Sequence, residues 1–278
     1  MSGEIMNKGF LTIAQNGEYN YVKMAYVLAM SLKSSQHKYN KLSVIVNENE
    51  EIPDKYIDIF DKVIYVEKPD EDWKIQNKWR YFELSPYDET IVLDCDMLFF
   101  NDISTWWECL QDYTLEFATK TMNYRGNVTT SNYYRKTFTT NSLPNLHTAL
   151  FYFKKTKENE NYFKFIKMIF QNWKEFYDQL KEPPKFLSGD VAYAIAAKVM
   201  FNRKWDNFLT FTHMRSRLQD DDIVDDWNKI LTTFFTNYNG KIELKVNNFN
   251  QLYPFHYIKK EFLREEVIEL YENTTRLL

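Results

Sequence analysis

The stretch Ile91-Val92-Leu93-Asp94-Cys95-Asp96-Met97-Leu98-Phe99-Phe100 constrains the fold of this chain more than any other. Apolar residues stand on both sides of two aspartates, which is how a doubly buried strand of a parallel sheet reads where it runs out into a crevice. An extended chain alternates its side chains, so the spacing predicts Asp94 and Asp96 on one side, with Cα atoms roughly 6 to 7 Å apart. Two carboxylates so placed suit a hard divalent cation that leaves the rest of its shell to water and substrate phosphates. Two further D-x-D spacings, Asp70 to Asp72 and Asp220 to Asp222, fall in polar, charge-rich segments, the second read with Asp225 and Asp226 as a solvated loop. Only the middle one closes an apolar run, where open α/β sheets place their ligands.

Upstream, Gly9 to Ala14 reads as a short strand closed by Gln15-Asn16-Gly17, with Asn20 placed to cap the helix that follows. From Tyr21 to about Ser34, Val22, Ala25, Tyr26, Ala29 and Leu32 recur at helical spacing and define one apolar face. Leu42 to Val46 and Lys62 to Val66 read as strands on either side of a short helix opened by Pro53 and running to Phe60. This β-α-β-α-β order predicts an α/β fold, a mostly parallel, doubly wound sheet flanked by helices, whose Rossmann-like N-terminal half ends its first strand near a nucleotide. Neither G-x-G-x-x-G nor G-x-x-x-x-G-K-[ST] follows that strand, so a dinucleotide site and a P-loop are unsupported.

Just ahead of the D-x-D, Trp73 to Leu84 is predicted as a helix carrying Asn77, Lys78 and Arg80, either cation being in reach of a diphosphate. Beyond it, a short helix is expected around Trp106 and Trp107, and residues 123–145 form a polar, aliphatic-poor stretch read as an acceptor-side lid. Ala149 to Phe153 is a further strand, preceded by Asn145, His147 and Thr148. The stripe Tyr162, Ile166, Ile169, Trp173, Phe176 and Leu180 predicts one amphipathic helix, ended by Pro183-Pro184. Leu187-Ser188-Gly189-Asp190 then leads into an alanine-rich helix, so Asp190 sits at its N-terminus, as a cap or as a catalytic or acceptor-binding group. Lys241 to Val246 alternates like an edge strand, and after it Phe255-His256-Tyr257-Ile258-Lys259-Lys260 brings one more imidazole and two cations. A last helix is expected to turn Leu263, Val267 and Leu270 inward.

Composition narrows the class. With 278 residues, 44% of them hydrophobic, and only 6 Gly and 7 Pro, the chain can bury a large core and is read as one domain over 1–278 without long linkers. A net charge of −4 does not suggest a nucleic-acid partner. Cys95 and Cys109 lack C-x-x-C spacing and are too few for a disulfide framework, so a reducing, cytoplasmic setting is expected. No apolar run approaches the ~20 residues of a transmembrane helix.

Taken in order, these features resemble the metal-dependent glycosyltransferases of the GT-A fold, in particular the glycogenin and lipopolysaccharide galactosyltransferase type. The similar elements are a first strand ending in Ala14, Gln15 and Asn16, the Lys78 and Arg80 segment, the apolar-D-x-D strand, the Asn145 to Phe153 segment, Ser188-Gly189-Asp190, and a late His256 followed by Lys259. The resemblance implies a nucleotide-binding half over about 1–100, and an acceptor-side half with a metal- and phosphate-binding tail over about 101–278. It implies Mn2+ or Mg2+ held by Asp94, Asp96 and His256, with His213 as the alternative third ligand. It also implies a UDP-sugar donor bound by Ala14, Gln15, Asn16, Tyr21, Lys78, Arg80, Asp94 and Lys259, and catalytic or acceptor roles for Asp190, Asn145 and His147. The acceptor would be a glycan, a lipid-linked saccharide or a protein, and retention of anomeric configuration is favoured. Two other readings fit parts of the pattern: a haloacid dehalogenase-type phosphatase with Asp94 as nucleophile, and a non-catalytic carbohydrate-binding protein.

Overall fold

In the computed structural model, which describes residues 7–67, 74–129, 135–206, 208–214 and 230–275, a six-stranded sheet runs in the order β3-β2-β1-β4-β7-β6. Its strands are β1 (Lys8–Ile13), β2 (Leu42–Asn47), β3 (Lys62–Val66), β4 (Glu89–Leu93), β6 (Leu115–Ala118) and β7 (His147–Lys154), β5 being kept for Met97–Leu98. The first four are parallel to one another, and β7 joins β4 and β6 antiparallel to both. The sheet is therefore mostly parallel, as the β-α-β-α-β order predicts.

Alternation along each strand divides the core into two layers. Phe10, Val44 and Ile91 face one side, where α1 (Tyr21–Ser35) packs; Leu11, Ile45 and Val92 face the other. Between these strands and beyond them stand α2 (Asp54–Ile57), α3 (Tyr81–Leu84), α4 (Ser104–Cys109) and α5 (Lys136–Thr140). Later helices are α6 (Lys157–Gln171), α7 (Trp173–Tyr177), α8 (Gly189–Met200) and α9 (Glu265–Thr275). Tyr162, Ile166 and Ile169 of α6 and Ala192, Ala194 and Ala196 of α8 cover the Leu11 face; Val267, Ile268 and Tyr271 of α9 join α1 on the Phe10 face. Burying whole strands between two helical layers is what lets them read as continuous apolar runs. Asn20 caps α1 as expected, its side chain accepting from Lys23 N at 2.8 Å.

Two small sheets complete the described residues: β11-β10-β9, from β9 (Thr232–Thr236), β10 (Ile242–Val246) and β11 (Phe249–Asn250), and β5-β12-β8, from β5, β8 (Thr212–His213) and β12 (Phe255–His256). β10 is the middle strand of its sheet rather than an edge.

Several sequence expectations are corrected. The segment from Ile91 to Phe100 is not one strand: β4 ends at Leu93, Asp94 N makes the last rung to Ala149 O at 2.9 Å, and β5 begins again at Met97 in a different sheet. Asp94 and Asp96 thus stand on a turn between two sheets, not on alternate positions of one extended chain. The segment before β4 is a 3-10 helix, Lys74–Arg80, running into α3; with three residues per turn it stacks Lys78 over Tyr81. The stripe from Tyr162 to Leu180 is broken at Asn172, whose side chain donates back to Met168 O at 2.9 Å and so competes with the helical ladder. α2 stops at Ile57, well short of Phe60. The polar stretch is anchored where it is described: Thr129 N bonds Thr121 O, Phe138 of α5 is buried, and Asn141 donates to Lys181 O. Residues 130–134 of that stretch, and the Asp70 to Asp72 and Asp220 to Asp226 segments, lie outside the described residues.

Candidate active site

The parallel strands β1 and β4 end side by side, and the turn after β4 supplies the first carboxylates. Asp94 Oδ1 accepts from Lys78 Nζ at 2.7 Å. Two residues on, the register of β5 with β12 sets Met97 opposite His256, and His256 Nε2 comes 3.1 Å from Asp96 Oδ1 and 3.9 Å from Asp94 Oδ2. Lys260 Nζ donates to the other oxygen of Asp96. One ligand atom each from Asp94, Asp96 and His256 lies within 4.8 Å of the others, the only such group of three among the described residues. Two carboxylate oxygens and an imidazole nitrogen are a donor set that can hold a divalent metal ion.

Burial and charge oppose each other here. Burial alone would raise the Asp96 carboxyl, but the neighbouring His256 and Lys260 outweigh it and hold it well below the usual carboxylate range. Burial would likewise lower Lys78, Lys260 and His256, and in each the facing aspartate wins and raises the group instead. Lys78 and Lys260 thus stand as two fixed cations against two carboxylates, with His256 between. Nδ1 of His256 has no hydrogen-bond partner among the described residues, so packing against Phe211 and His213, with ring centres 5.7 and 5.5 Å away, orients the ring. His213 lies behind His256 rather than among the three, and burial followed by the His256 charge lowers it to about 3. Cys95 is a buried thiol pushed well up, first by burial and then by the two aspartates, which makes it a poor nucleophile.

A cavity of about 240 Å³ opens on this cluster, bounded by Gln15, Tyr21, Lys78, Tyr81 and Lys260 besides the aspartates. Gln15 is fixed by Asn77, whose Nδ2 donates to its Oε1 at 2.9 Å, and by a bond of its own amide to Asn47. Tyr21 lies under Lys260, whose Nζ is 5.5 Å from the ring centre. The other sequence-named residues stand elsewhere. Ala14 is buried in the sheet, its N bonded to Ile45 O. Asn16 caps the start of α1 by accepting from Val22 N and donates to Glu50. Arg80 turns away, its guanidinium on Glu67 O at 3.0 Å. Lys259 does not line this cavity; it faces a neighbouring one, and Lys260 takes the place against Asp96.

Asp190 and His147 form a second polar group with Arg135. Asp190 Oδ1 accepts from Thr148 N at 2.8 Å and Thr148 Oγ1 at 2.7 Å, and Oδ2 accepts from Arg135 Nη1 at 3.0 Å. Burial would raise this carboxyl; Arg135, His147 and Thr148 outweigh it and hold it well below its ordinary range. The same Arg135 Nη1 lies 2.8 Å from His147 Nδ1, and burial followed by the Arg135 charge pushes His147 well down, so its ring is neutral. Asn145 donates to Thr119 O and belongs to neither group. Sequence reasoning missed Tyr81 and Arg135. The 3-10 period would have found Tyr81 from Lys78; Arg135 carries no local signal, since its partners are 55 and 12 residues away.

No family model matches the chain, and no curated protein matches it. Solved structures do. The apo form of the glycosyltransferase GlyE of Streptococcus pneumoniae TIGR4 is 11% identical over 70% of this chain, with a TM-score of 0.42, and the chain spans only 44% of its length. Galactosyltransferase LgtC in complex with donor and acceptor sugar analogues is 13% identical, over 67% of this chain and 70% of its own, with a TM-score of 0.44. Mouse xyloside xylosyltransferase 1 is 12% identical, over 68% of this chain and 81% of its own, with a TM-score of 0.46.

Proposed function

We propose that this chain is a glycosyltransferase of the GT-A type, moving a sugar from a UDP-sugar to a hydroxyl of a glycan, lipid-linked saccharide or protein. The observation that carries the reading is the convergence of Asp94, Asp96 and His256 with Lys78 and Lys260 beside one cavity at the end of β4. Residues 1–278 are read as one unit, with the donor's nucleotide on the side of β1. Gln15 and Tyr21 bound the cavity where the base and ribose would lie.

Asp94, Asp96 and His256 would hold Mn2+ or Mg2+, which when bound supplies Lewis-acid stabilisation of the leaving diphosphate. Lys78 and Lys260, already fixed beside the two aspartates, share the negative charge that grows on the leaving group, and because they are preorganised they do so without reorganisation. In the transfer, a bond forms between the acceptor oxygen and the anomeric carbon while the bond from that carbon to the diphosphate oxygen breaks. The diphosphate leaves with the electron pair, and the acceptor proton passes to it or to solvent. Asp190 has both oxygens engaged and is held as a carboxylate, which makes it a poor base and a good anchor. That supports retention over inversion. A haloacid dehalogenase-type site would use Asp190 as a metal ligand, whereas both of its oxygens are engaged by Arg135 and Thr148. The two free cysteines fit a reducing, cytoplasmic setting.

Thermal unfolding with UDP, with and without Mn2+, beside EDTA and a GDP control tests the reading. UDP at a hundred times its dissociation constant adds about 2.7 kcal/mol, and each kcal/mol moves the midpoint of a chain this size by roughly 2–4 °C. A shift that needs both UDP and metal is expected. A shift with Mg2+ and a phosphate mimic but with neither nucleotide would turn the reading toward a phosphatase.

A further inference from the structure

The cleft does not end at Lys260. A second cavity, of about 720 Å³, lies on the far side of that residue, which lines both. Its polar wall is Lys259, Lys260, Glu261 and Arg264, and its apolar wall includes Met214 and Phe262.

The charges of that wall are unbalanced. Lys260 is bound to Asp96, and the single acid, Glu261, accepts from Tyr19 Oη at 3.3 Å. Lys259 and Arg264 have no ion pair among the described residues, so with Lys260 paired to Asp96 two unpaired cations and one carboxylate, Glu261, line the cavity. The backbone between them and the metal-ligand candidate is strained: Ile258 has φ +25°, a region that β-branched residues avoid and that is tolerated where surrounding structure requires it. After this bend the adjacent lysines part, Lys260 reaching Asp96 while Lys259 lines only the second cavity.

We infer that this second cavity is the acceptor site and that it takes a saccharide bearing an oxyanion, a phosphate or a carboxylate, gripped by Lys259 and Arg264. The inference rests on the transferase reading and deepens it. Met214 and Phe262 offer the apolar surface on which the less polar face of a sugar ring packs. The two cavities share Lys260, so a saccharide in the second would lie beside the donor cleft. The reaction balance is that given above; the oxyanion is a handle and takes no part in bond exchange.

The test is calorimetric titration of the whole chain, saturated with UDP and Mn2+ so that the diphosphate site is filled, with glucose 6-phosphate, glucuronate and glucose. At least one anion should bind tenfold or more tighter than glucose, with an affinity that falls as salt rises. The pair of anions separates a phosphate handle from a carboxylate one. Arg264→Ala, an exposed position whose loss does not threaten the fold, should weaken that anion about tenfold and leave the UDP-dependent melting shift unchanged; Lys259→Ala with Arg264→Ala should remove the preference over glucose. Anions binding no better than glucose while UDP still binds, or equal binding by the double variant, would overturn the anionic acceptor alone. Absence of any UDP shift in the wild-type chain would remove the transferase reading, and the acceptor role with it.

Discussion

Lys78 Nζ lies 2.7 Å from Asp94 Oδ1, on a 3-10 turn that ends nine residues before β4 begins, with both side chains largely withdrawn from solvent. This pairing fixes a cation in the wall of the 240 Å³ cavity from the N-terminal side, as Lys260 does from the C-terminal side. Removing either should slow transfer by about 10²- to 10³-fold, the usual cost of one preorganised charge-stabilising donor. Arg80→Ala is the contrast, expected to cost less than about tenfold because its guanidinium is committed to Glu67 O. Steady-state kinetics of Lys78→Ala, Lys260→Ala and Arg80→Ala decide between them, and equal losses in all three would contradict the geometry.

Asp96 is 5% exposed and bonded to both His256 and Lys260. Asp96→Asn should abolish the metal-dependent shift with UDP. Asp96→Ala should also cost the metal-free protein about 3 kcal/mol, because two buried cationic groups lose their counter-charge. Chemical denaturation measures the second effect and melting with UDP and Mn2+ the first; a retained metal-dependent shift in Asp96→Asn would remove the ligand assignment.

The pH dependence of stability has a source away from the site. Burial raises Glu116 from 4.5 to about 7 despite Arg203 at 3.2 Å, and its Oε1 has no partner among the described residues. The folded chain therefore keeps a proton that the unfolded chain releases near pH 4.5, so this contribution is complete below pH 4.5 and is lost as pH rises to about 7. Roughly 2 to 3 kcal/mol should vary over that window. Glu116→Gln should flatten the decline, as read from denaturation at stepped pH.

Gly9 is placed by its neighbour. A Cβ there would come within 2.3 Å of the Tyr87 ring, whose hydroxyl is tied to Ser43 at 2.7 Å and Asp61 at 3.1 Å and so resists moving. Gly9→Ala should destabilise by about 1–3 kcal/mol, the cost of overpacking. Adding Tyr87→Leu should return part of that loss in a double-mutant cycle, whereas strict additivity would mean the clash is relieved some other way.

Thiol labelling separates the two cysteines. Cys109 is exposed and Cys95 buried, so the native chain should take up a single equivalent of a thiol reagent. The second should follow only with unfolding, and more slowly once UDP and Mn2+ are bound.

Legibility in the sequence followed how local each cause was. Strands β1 to β4 could be read because each is a short apolar run bounded by polar turns, and Asn20 because a cap is set by its own helix. Asp94 and Asp96 were findable from context, yet their geometry was not: the turn between them depends on Ala149 and on β12, far along the chain. Lys259 and Lys260 look equivalent in sequence, yet Lys260 reaches Asp96 while Lys259 lines only the second cavity, just after a left-handed residue at Ile258. Arg135 was illegible for the same reason, since its meaning lies wholly in Asp190 and His147.

Asp96 and His256 are separated by 160 positions along the chain. At synthesis rates of roughly 5–20 residues per second, the carboxylate leaves the ribosome roughly 8 to 32 s before the imidazole. Asp94 has Lys78 at hand from the outset, whereas Asp96 waits for both His256 and Lys260. Joining them closes a long loop for a few rungs of hydrogen bonding in β5 and β12, a step placed late in folding by its entropy. A nascent chain can thus build its parallel sheet first, and the group of Asp94, Asp96 and His256 is complete only when the late tail docks.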